Sequence, residues 1–277
     1  MAFANGFGGD NVSLGYILKT LNAKTYLIPG VTCNPDVSVT AAGESAYYYK
    51  RSASSVSAAL SGAHITWGDG NSKGATRTDI SMLNCFQIKD AIPHANFSTV
   101  SADIVGDKVV QETIEVANQH NAAAITKMET TTYSKTLGAA LSLDTIYSAV
   151  LTAKAEFITR NKAKYLKPTA IFVAPDVMAL LKEKNLILFK DSLPGQSEKI
   201  RGYFDDMAVI ECPDVAATTA FIMVNDLGFG APINVNTLYV VDGTAAGWAG
   251  GTLISGELSY GFDLCDADLV YLVKKAQ

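Results

Sequence analysis

The sequence predicts an α+β fold, with long helices early and an irregular mixed sheet late, and three observations carry that prediction. The first is a long helical stretch over 102–124: Ser101 can cap it, Ile104, Val109, Val116 and Ala117 form an apolar stripe, and Asp103 and Asp107 suit its N-terminal end through the helix dipole. The second is a strand that feeds a helix. TAIFVA (169–174) is a short apolar β run, and Pro175 follows where helices begin, with a short helix over 177–184. The third is a series of late apolar runs bounded by turn signals, at 202–210, 220–224, 234–241 and 268–273.

Taken in order, residues 1–45 are rich in Gly, Asn, Thr and Ser, with apolar pulses at 13–21 and 25–28 and a turn at Pro29-Gly30. They read as an extended arm or peripheral layer with one short helix. Residues 46–95 read as a protruding hairpin. Tyr47, Tyr48 and Tyr49 stand together at its start, 64–67 can be a strand, the polar turn 68–77 is full of glycine, and 78–88 is a second strand. Three consecutive tyrosines cannot share one face of a strand, so at least one meets another element or chain. A small hairpin rich in serine and alanine has little with which to pack a core alone, and is better placed against another subunit. A second helix is expected over 143–157 from the spacing of Ile146, Tyr147, Val150, Leu151 and Phe157. Asp205-Asp206 marks a tight turn between two strands, and Cys212-Pro213 ends the second of them.

Composition narrows the function. The 277 residues carry 48% hydrophobic side chains, a mean hydropathy of +0.17 and a net charge of -5. Charged residues make up 18%, against roughly 25% in an ordinary soluble domain. The deficit is local: 227–256 holds one charged residue, Asp242, and 52–68 holds none. Surface that need not be solvated by charge suits a subunit that hides it against neighbours. The acidic balance argues against nucleic-acid binding driven by Lys and Arg contacts to phosphates. No run of 18 apolar residues exists, so no membrane-spanning helix is expected. No basic, apolar secretory leader is expected either, which leaves the glycosylation sequons at Asn11 and Asn96 idle. Cys33, Cys85, Cys212 and Cys265 form no CxxC pair and read as free buried thiols in a reducing compartment.

The candidates for chemistry are weak. GDGNSKGAT (68–76) lacks the order of a phosphate loop, and Asp69 and Asn71 lack the spacing of an EF-hand. His64, His94 and His120 form no zinc motif. Cys212 would need a base brought from afar to act as a nucleophile, and a buried thiol is the simpler reading. Asp205 and Asp206 are a carboxylate pair only in sequence, since neighbours on a two-residue turn point apart. No catalytic residue, cofactor or metal is assigned. Trp67 and Trp248 stand in uncharged surroundings, where each suits either an interface anchor or an ordinary core position.

One resemblance organises these features. MLNCFQIKDAIPHANF (82–97), KPTAIFVAPDVMALLKEKN (167–185), RGYFDDMAVIECPDV (201–215), AFIMVNDLGFG (220–230) and GELSYGFDLCDADLVYLVKK (256–275) follow one another in an order that resembles the major capsid proteins of tailed bacteriophages, the Hong Kong 97 fold. The resemblance covers about 40–275 and lies in order and texture rather than in a catalytic signature. It implies an N-terminal arm at 1–45, an extended hairpin loop and the start of a peripheral domain at 46–95, and a peripheral domain with its spine helix at 96–165. An axial domain would follow at about 166–250, with a return to the peripheral domain at 251–277.

It also implies a non-enzymatic shell protein that self-assembles as pentamers and hexamers around double-stranded DNA, held without sequence-specific binding. Partners would be many copies of itself, a portal, a separate scaffolding protein (no long charged helical leader follows Met1) and room for a decoration protein, with no membrane. Assembly would take place in the host cytoplasm and the chain would reside in the virion. Trp67, Lys73, Tyr48 and Trp248 are the expected inter-subunit contacts. Some members of the family join loop lysines to asparagines covalently. Lys73 stands near this loop tip, where it equally well solubilises an exposed turn, and no partner asparagine is evident. Two other readings stay open: an encapsulin-type compartment, which resembles these capsids and encloses cargo, and a soluble α+β enzyme, which would need a convergent polar pocket.

Overall fold

A computed structural model of the chain describes residues 20–21, 24–40, 45–50, 76–92, 104–187, 199–242 and 252–276. Twelve strands and three helices are named among them. The strands are β1 (Ser38–Val39), β2 (Ser45–Lys50), β3 (Thr76–Ser81), β4 (Asn84–Ile92), β5 (Ser134–Thr136), β6 (Ala170–Val173), β7 (Ile200–Phe204), β8 (Met207–Glu211), β9 (Thr219–Val224), β10 (Ile233–Asp242), β11 (Thr252–Tyr260) and β12 (Val270–Lys274). The helices are α1 (Ile104–Glu129), α2 (Ile146–Arg160) and α3 (Pro175–Glu183).

The body is a six-stranded mixed sheet in the order β5-β12-β9-β6-β8-β7. Two of its pairs are parallel, β12 with β5 and β6 with β8, and the rest are antiparallel. Its central strands read as continuous apolar runs, AIFV in β6 and TAFIMV in β9, and every residue of both is buried. That is the pattern of strands covered on both faces. The core gathers Ile146, Val150, Ala153 and Phe157 from α2 and Val177, Met178 and Leu181 from α3 around Phe172, Phe221 and Ile222. Pro175 opens α3 without wasting a donor, after a strand-like Ala174. Asp205 and Asp206 both take positive φ, which closes β7 and β8 as a two-residue hairpin.

α1 runs 26 residues, about 39 Å at 1.5 Å per residue, and joins two cores. Ala124, Ile125 and Met128 belong to the main one. Val109, Val116 and Ala117 belong to a second, with Leu21, Ile254 and Leu258, against which Phe86 and Ile233 pack. That second core lies under a three-stranded antiparallel sheet, β10-β11-β4. Between the two cores Asn121 ties down the early chain: its Oδ1 accepts from Thr25 Oγ1 (3.0 Å) and Tyr26 N (2.9 Å), and its Nδ2 donates to Lys24 O (3.1 Å). Leu27 and Cys33 enter the main core. The stretch read as an arm is therefore, over 24–33, packed onto the body.

β11 was not anticipated, and it changes the meaning of the uncharged stretch 227–256. Its N-terminal end holds Phe229, fully buried in the main core, and β10 and β11 pair with one another over most of their length. Part of the missing charge is thus explained inside the chain. The second strand of the hairpin also differs from expectation. The run 78–88 is broken at Met82 and Leu83: β3 pairs with β2, whereas β4 pairs with β11 in another sheet.

Candidate assembly surfaces

The base of the hairpin is a three-stranded sheet, β1-β2-β3, with two unlike faces. Alternation along β2 and β3 sends Ala46, Tyr48 and Ile80 inward to a small core with Met82 and Cys265, and Val37 packs against it. Tyr48 is spent within the chain: its hydroxyl donates to Asp263 Oδ2 (3.3 Å) and Cys265 O (3.4 Å). Burial and these neighbours push its phenol well above the usual range. The opposite face carries Tyr47, Tyr49, Arg77 and Asp79. The Arg77 guanidinium lies 4.4 Å from the centroid of the Tyr47 ring, and its Nε donates to Asp79 Oδ1 (2.8 Å). Tyr47 and Tyr49 meet edge to face at 5.8 Å, and Tyr49 is 59% exposed. Rigid aromatic rings and a preoriented Arg on an open face are the side chains that carry binding energy at protein contacts.

Glycines fix how this hairpin sits on the body. A Cβ on Gly261 would come within 2.3 Å of Ser81 O, and one on Gly230 within 2.8 Å of both Cys265 Sγ and the tip of Ile80. β3 therefore meets the segment after β11 at backbone contact, which only glycine allows at 261, and packs its Ile80 side chain closely on Gly230 before β10. Just beyond this crossing Leu83 stands 79% exposed.

A polar network holds the edge strand β5 and the C-terminal strand β12 to α2. Glu156 takes hydrogen bonds from Lys135 of β5 and from Tyr271 of β12, and both hold its carboxyl below the usual range. Arg160 lies over the Tyr133 ring, 3.3 Å from its centroid, and Lys164 pairs with Asp266 (2.5 Å) and Asp268 (3.3 Å). Tyr165 follows at φ 54 and is 94% exposed, a left-handed aromatic residue with no packing among the described residues to explain it.

The candidates for chemistry are occupied otherwise. Asp205 pairs with Lys154 (2.6 Å) and Asp206 with Lys167 (3.4 Å), so the two carboxylates brace the β7–β8 turn instead of facing one cleft. The Cys212 thiol is fully buried and pushed up to about 12, chiefly by that burial, so it is not a thiolate. Cys33 and Cys265 are raised likewise, whereas Cys85 is exposed, beside Glu257. Among the described residues no cluster of His, Cys, Asp and Glu could hold a metal. A groove of roughly 210 Å³ between α2 and the segment after β5 is lined by Leu137, Leu141, Thr145, Ala149 and Val273, and ligand pockets ordinarily start near 300 Å³. Among the described residues no helix is long and apolar enough to cross a membrane. Trp67, Lys73 and Trp248 lie outside the described residues, as do His64, His94 and most of the extended loop.

No protein-family model matches the chain, and no curated protein does. Solved structures do. A chain from Mycobacterium phage Che8 superposes with a TM-score of 0.60 at 13% identity, covering 83% of this chain and 84% of that one. A capsid structure of the cyanophage P-SCSP1u gives 0.58 at 14% identity, covering 90% of each. The chain has the Hong Kong 97 capsid fold. A virus-like particle from Pyrococcus furiosus shares it, at a TM-score of 0.58 and 10% identity over 94% of this chain and 96% of that one. At such identities the likeness is one of fold, and it spans nearly the whole of each protein. The Hong Kong 97 fold places the long α1, the hairpin and the mixed sheet in one architecture.

Proposed function

We propose that the chain is a major capsid protein whose copies assemble, as pentamers and hexamers, into a closed icosahedral shell around double-stranded phage DNA. The observation that carries this reading is the near-complete superposition on capsid chains, joined to a hairpin whose outer face leaves Tyr49 and Arg77 uncovered. The shell holds by geometry and by many weak contacts that add up. It needs no catalytic group, and the acidic charge of the chain suits a wall along which packaged DNA slides without specific binding. Many copies of the chain are its chief partners, with a portal, a separate scaffolding protein and room for a decoration protein. It resides in the virion after assembly in the host cytoplasm.

In this reading the peripheral domain carries α1, and the axial domain lies within 166–250. The extended loop spans 46–95, and 1–45 serves as an arm beyond the part bound at Asn121. Tyr49 and Arg77 join Trp67, Lys73 and Trp248 as contacts between subunits, while Tyr48 braces the hairpin from within.

A second reading is a compartment that encloses protein cargo, since the fold also forms a virus-like particle in Pyrococcus furiosus. Negative-stain microscopy of the purified chain, with nuclease-protected nucleic acid measured alongside, separates the two. DNA-filled polyhedral shells support the capsid reading, and shells filled with protein support the compartment. A species of one to six subunits under every assembly condition contradicts both.

A further inference from the structure

His120 is the one histidine among the described residues, and it sits at the joint of α1 between its two cores. Val116 and Ala117 precede it in the smaller core, and Ala124 and Ile125 follow it in the larger. Its ring is 2% exposed, and neither ring nitrogen has a hydrogen-bond partner. Aromatic rings surround it: Phe262 at 4.8 Å, Tyr260 of β11 at 5.7 Å and Phe86 of β4 at 6.4 Å between centroids. Phe86 and Tyr260 stack on one another at 4.3 Å. A neutral imidazole must carry a proton on one nitrogen, so one donor is left buried and unpaired. Phenylalanine would fill the same space without that cost, and a buried polar group of this kind calls for a role.

The charged groups near this joint are engaged elsewhere. On β11, Glu257 accepts from Cys85 of β4. After β11, Asp263 accepts from Tyr48, and Asp266 pairs with Lys164. On α1, Glu115 accepts from Gln119, and Asn121 faces the early chain. The titratable group in ring contact with His120 is Tyr260. Burial alone lowers the His120 imidazole from 6.5 to about 4.

We propose that His120 makes the junction between α1 and the β4–β11 pair acid-labile: its protonation parts the helix from that sheet and leaves the six-stranded body intact. Ring faces offer an imidazolium less than the hydration it has lost, and neither ring nitrogen has an acceptor, so proton uptake favours opening. The sign follows from the lowered value. The closed junction is fully stable above the ordinary imidazole value of 6.5 and loses stability as pH falls from there to the buried value. The opening equilibrium shifts by on the order of a hundredfold over that window. The upper part of this window, above about 5, lies over the ordinary carboxylate range, and comparison with a chain lacking the imidazole separates the two effects below it. The inference is read within one chain and stands whether or not copies form a shell.

Hydrogen–deuterium exchange on the purified full chain, from about pH 7.5 to about 4 and corrected for intrinsic rates, tests it. Peptides covering 113–124, 84–88 and 254–260 are expected to lose protection as pH drops, while 219–224 stay protected. In His120→Phe the same peptides hold until the carboxylate range. Equal pH dependence in the two proteins, or no acid response in either, overturns the proposal. A second measurement needs no change at the joint. His64→Gln with His94→Gln leaves His120 as the chain's one histidine, and its ring titration follows from labelled imidazole spectra. A midpoint below about 5 is expected, and one near the ordinary value contradicts burial of the ring.

Discussion

The six-stranded body and the three-stranded base of the hairpin solve opposite problems. β9 buries all six of its residues, TAFIMV, and β6 buries all four. β2 buries only Ala46 and Tyr48 and leaves Tyr49 and Lys50 exposed. The body closes its strands on both faces and needs nothing from outside. The hairpin base closes one face with its own chain and presents the other. The difference teaches where a neighbour can act: stability of the chain is set in the body, and the open face is where the proposed contact between chains would fall.

The largest expected effect breaks the body. Phe221 is fully buried in the main core, opposite Val173 of β6, and Phe221→Ala should cost about 3–5 kcal/mol. A denaturant midpoint far below that of the parent chain is the expected result. A small change would show that the central sheet is not the main store of stability.

Gly261→Ala sharpens the comparison, because it strikes the crossing of hairpin and body. The new Cβ would meet Ser81 O at 2.3 Å, a backbone atom that cannot move aside alone. The expected cost is about 1–3 kcal/mol. It should appear as lost exchange protection over 76–82, with β9 unchanged.

The pH response of the body has its own window. Lys135 and Tyr271 hold the Glu156 carboxyl below its ordinary 4.5. A depressed carboxylate contributes stability that is complete above the ordinary value and lost as pH falls through the lowered one. Thermal scans of Glu156→Gln should therefore show weaker pH dependence below about 4.5 than the parent, and no difference between about pH 5.5 and 7. Matching scans would remove Glu156 from the account.

The smallest effect on the chain should have the largest effect on assembly. Tyr49→Ala touches an exposed ring and should change stability by no more than about 0.5 kcal/mol. The concentration needed to form particles, read by light scattering, should rise several-fold. If it does not move, the open face of the hairpin is not a contact.

The sequence made the body legible and left the joints obscure. Strand β6, Pro175 and α3, the Asp205-Asp206 turn and β9 announce themselves through local chemistry: apolar runs, a proline at a helix start, and turn residues at positive φ. The helix at 146–160 starts a few residues after its expected first position, and α1 runs on past 124 because Ala124, Ile125 and Met128 enter the main core. β11 was hidden because TLISGELSY alternates weakly and carries a glycine, and its identity comes from pairing on both sides, which is not local. The break at Met82-Leu83 was hidden for the same reason. Tyr48 was expected at a contact between subunits, yet no local signal tells it from Tyr47 and Tyr49. Its partners, Asp263 and Cys265, lie more than two hundred residues away. The buried His120 looks like any histidine until β4, β11 and Phe262 close around it.

The measurement that tests the central claim most directly is a reconstruction of the assembled particle at side-chain detail, read at Tyr49 and Arg77. The account predicts both side chains covered by a neighbouring copy, with the hairpin laid across it and the six-stranded body unchanged. A particle in which this face meets solvent in every copy, with subunits joined elsewhere, would contradict it.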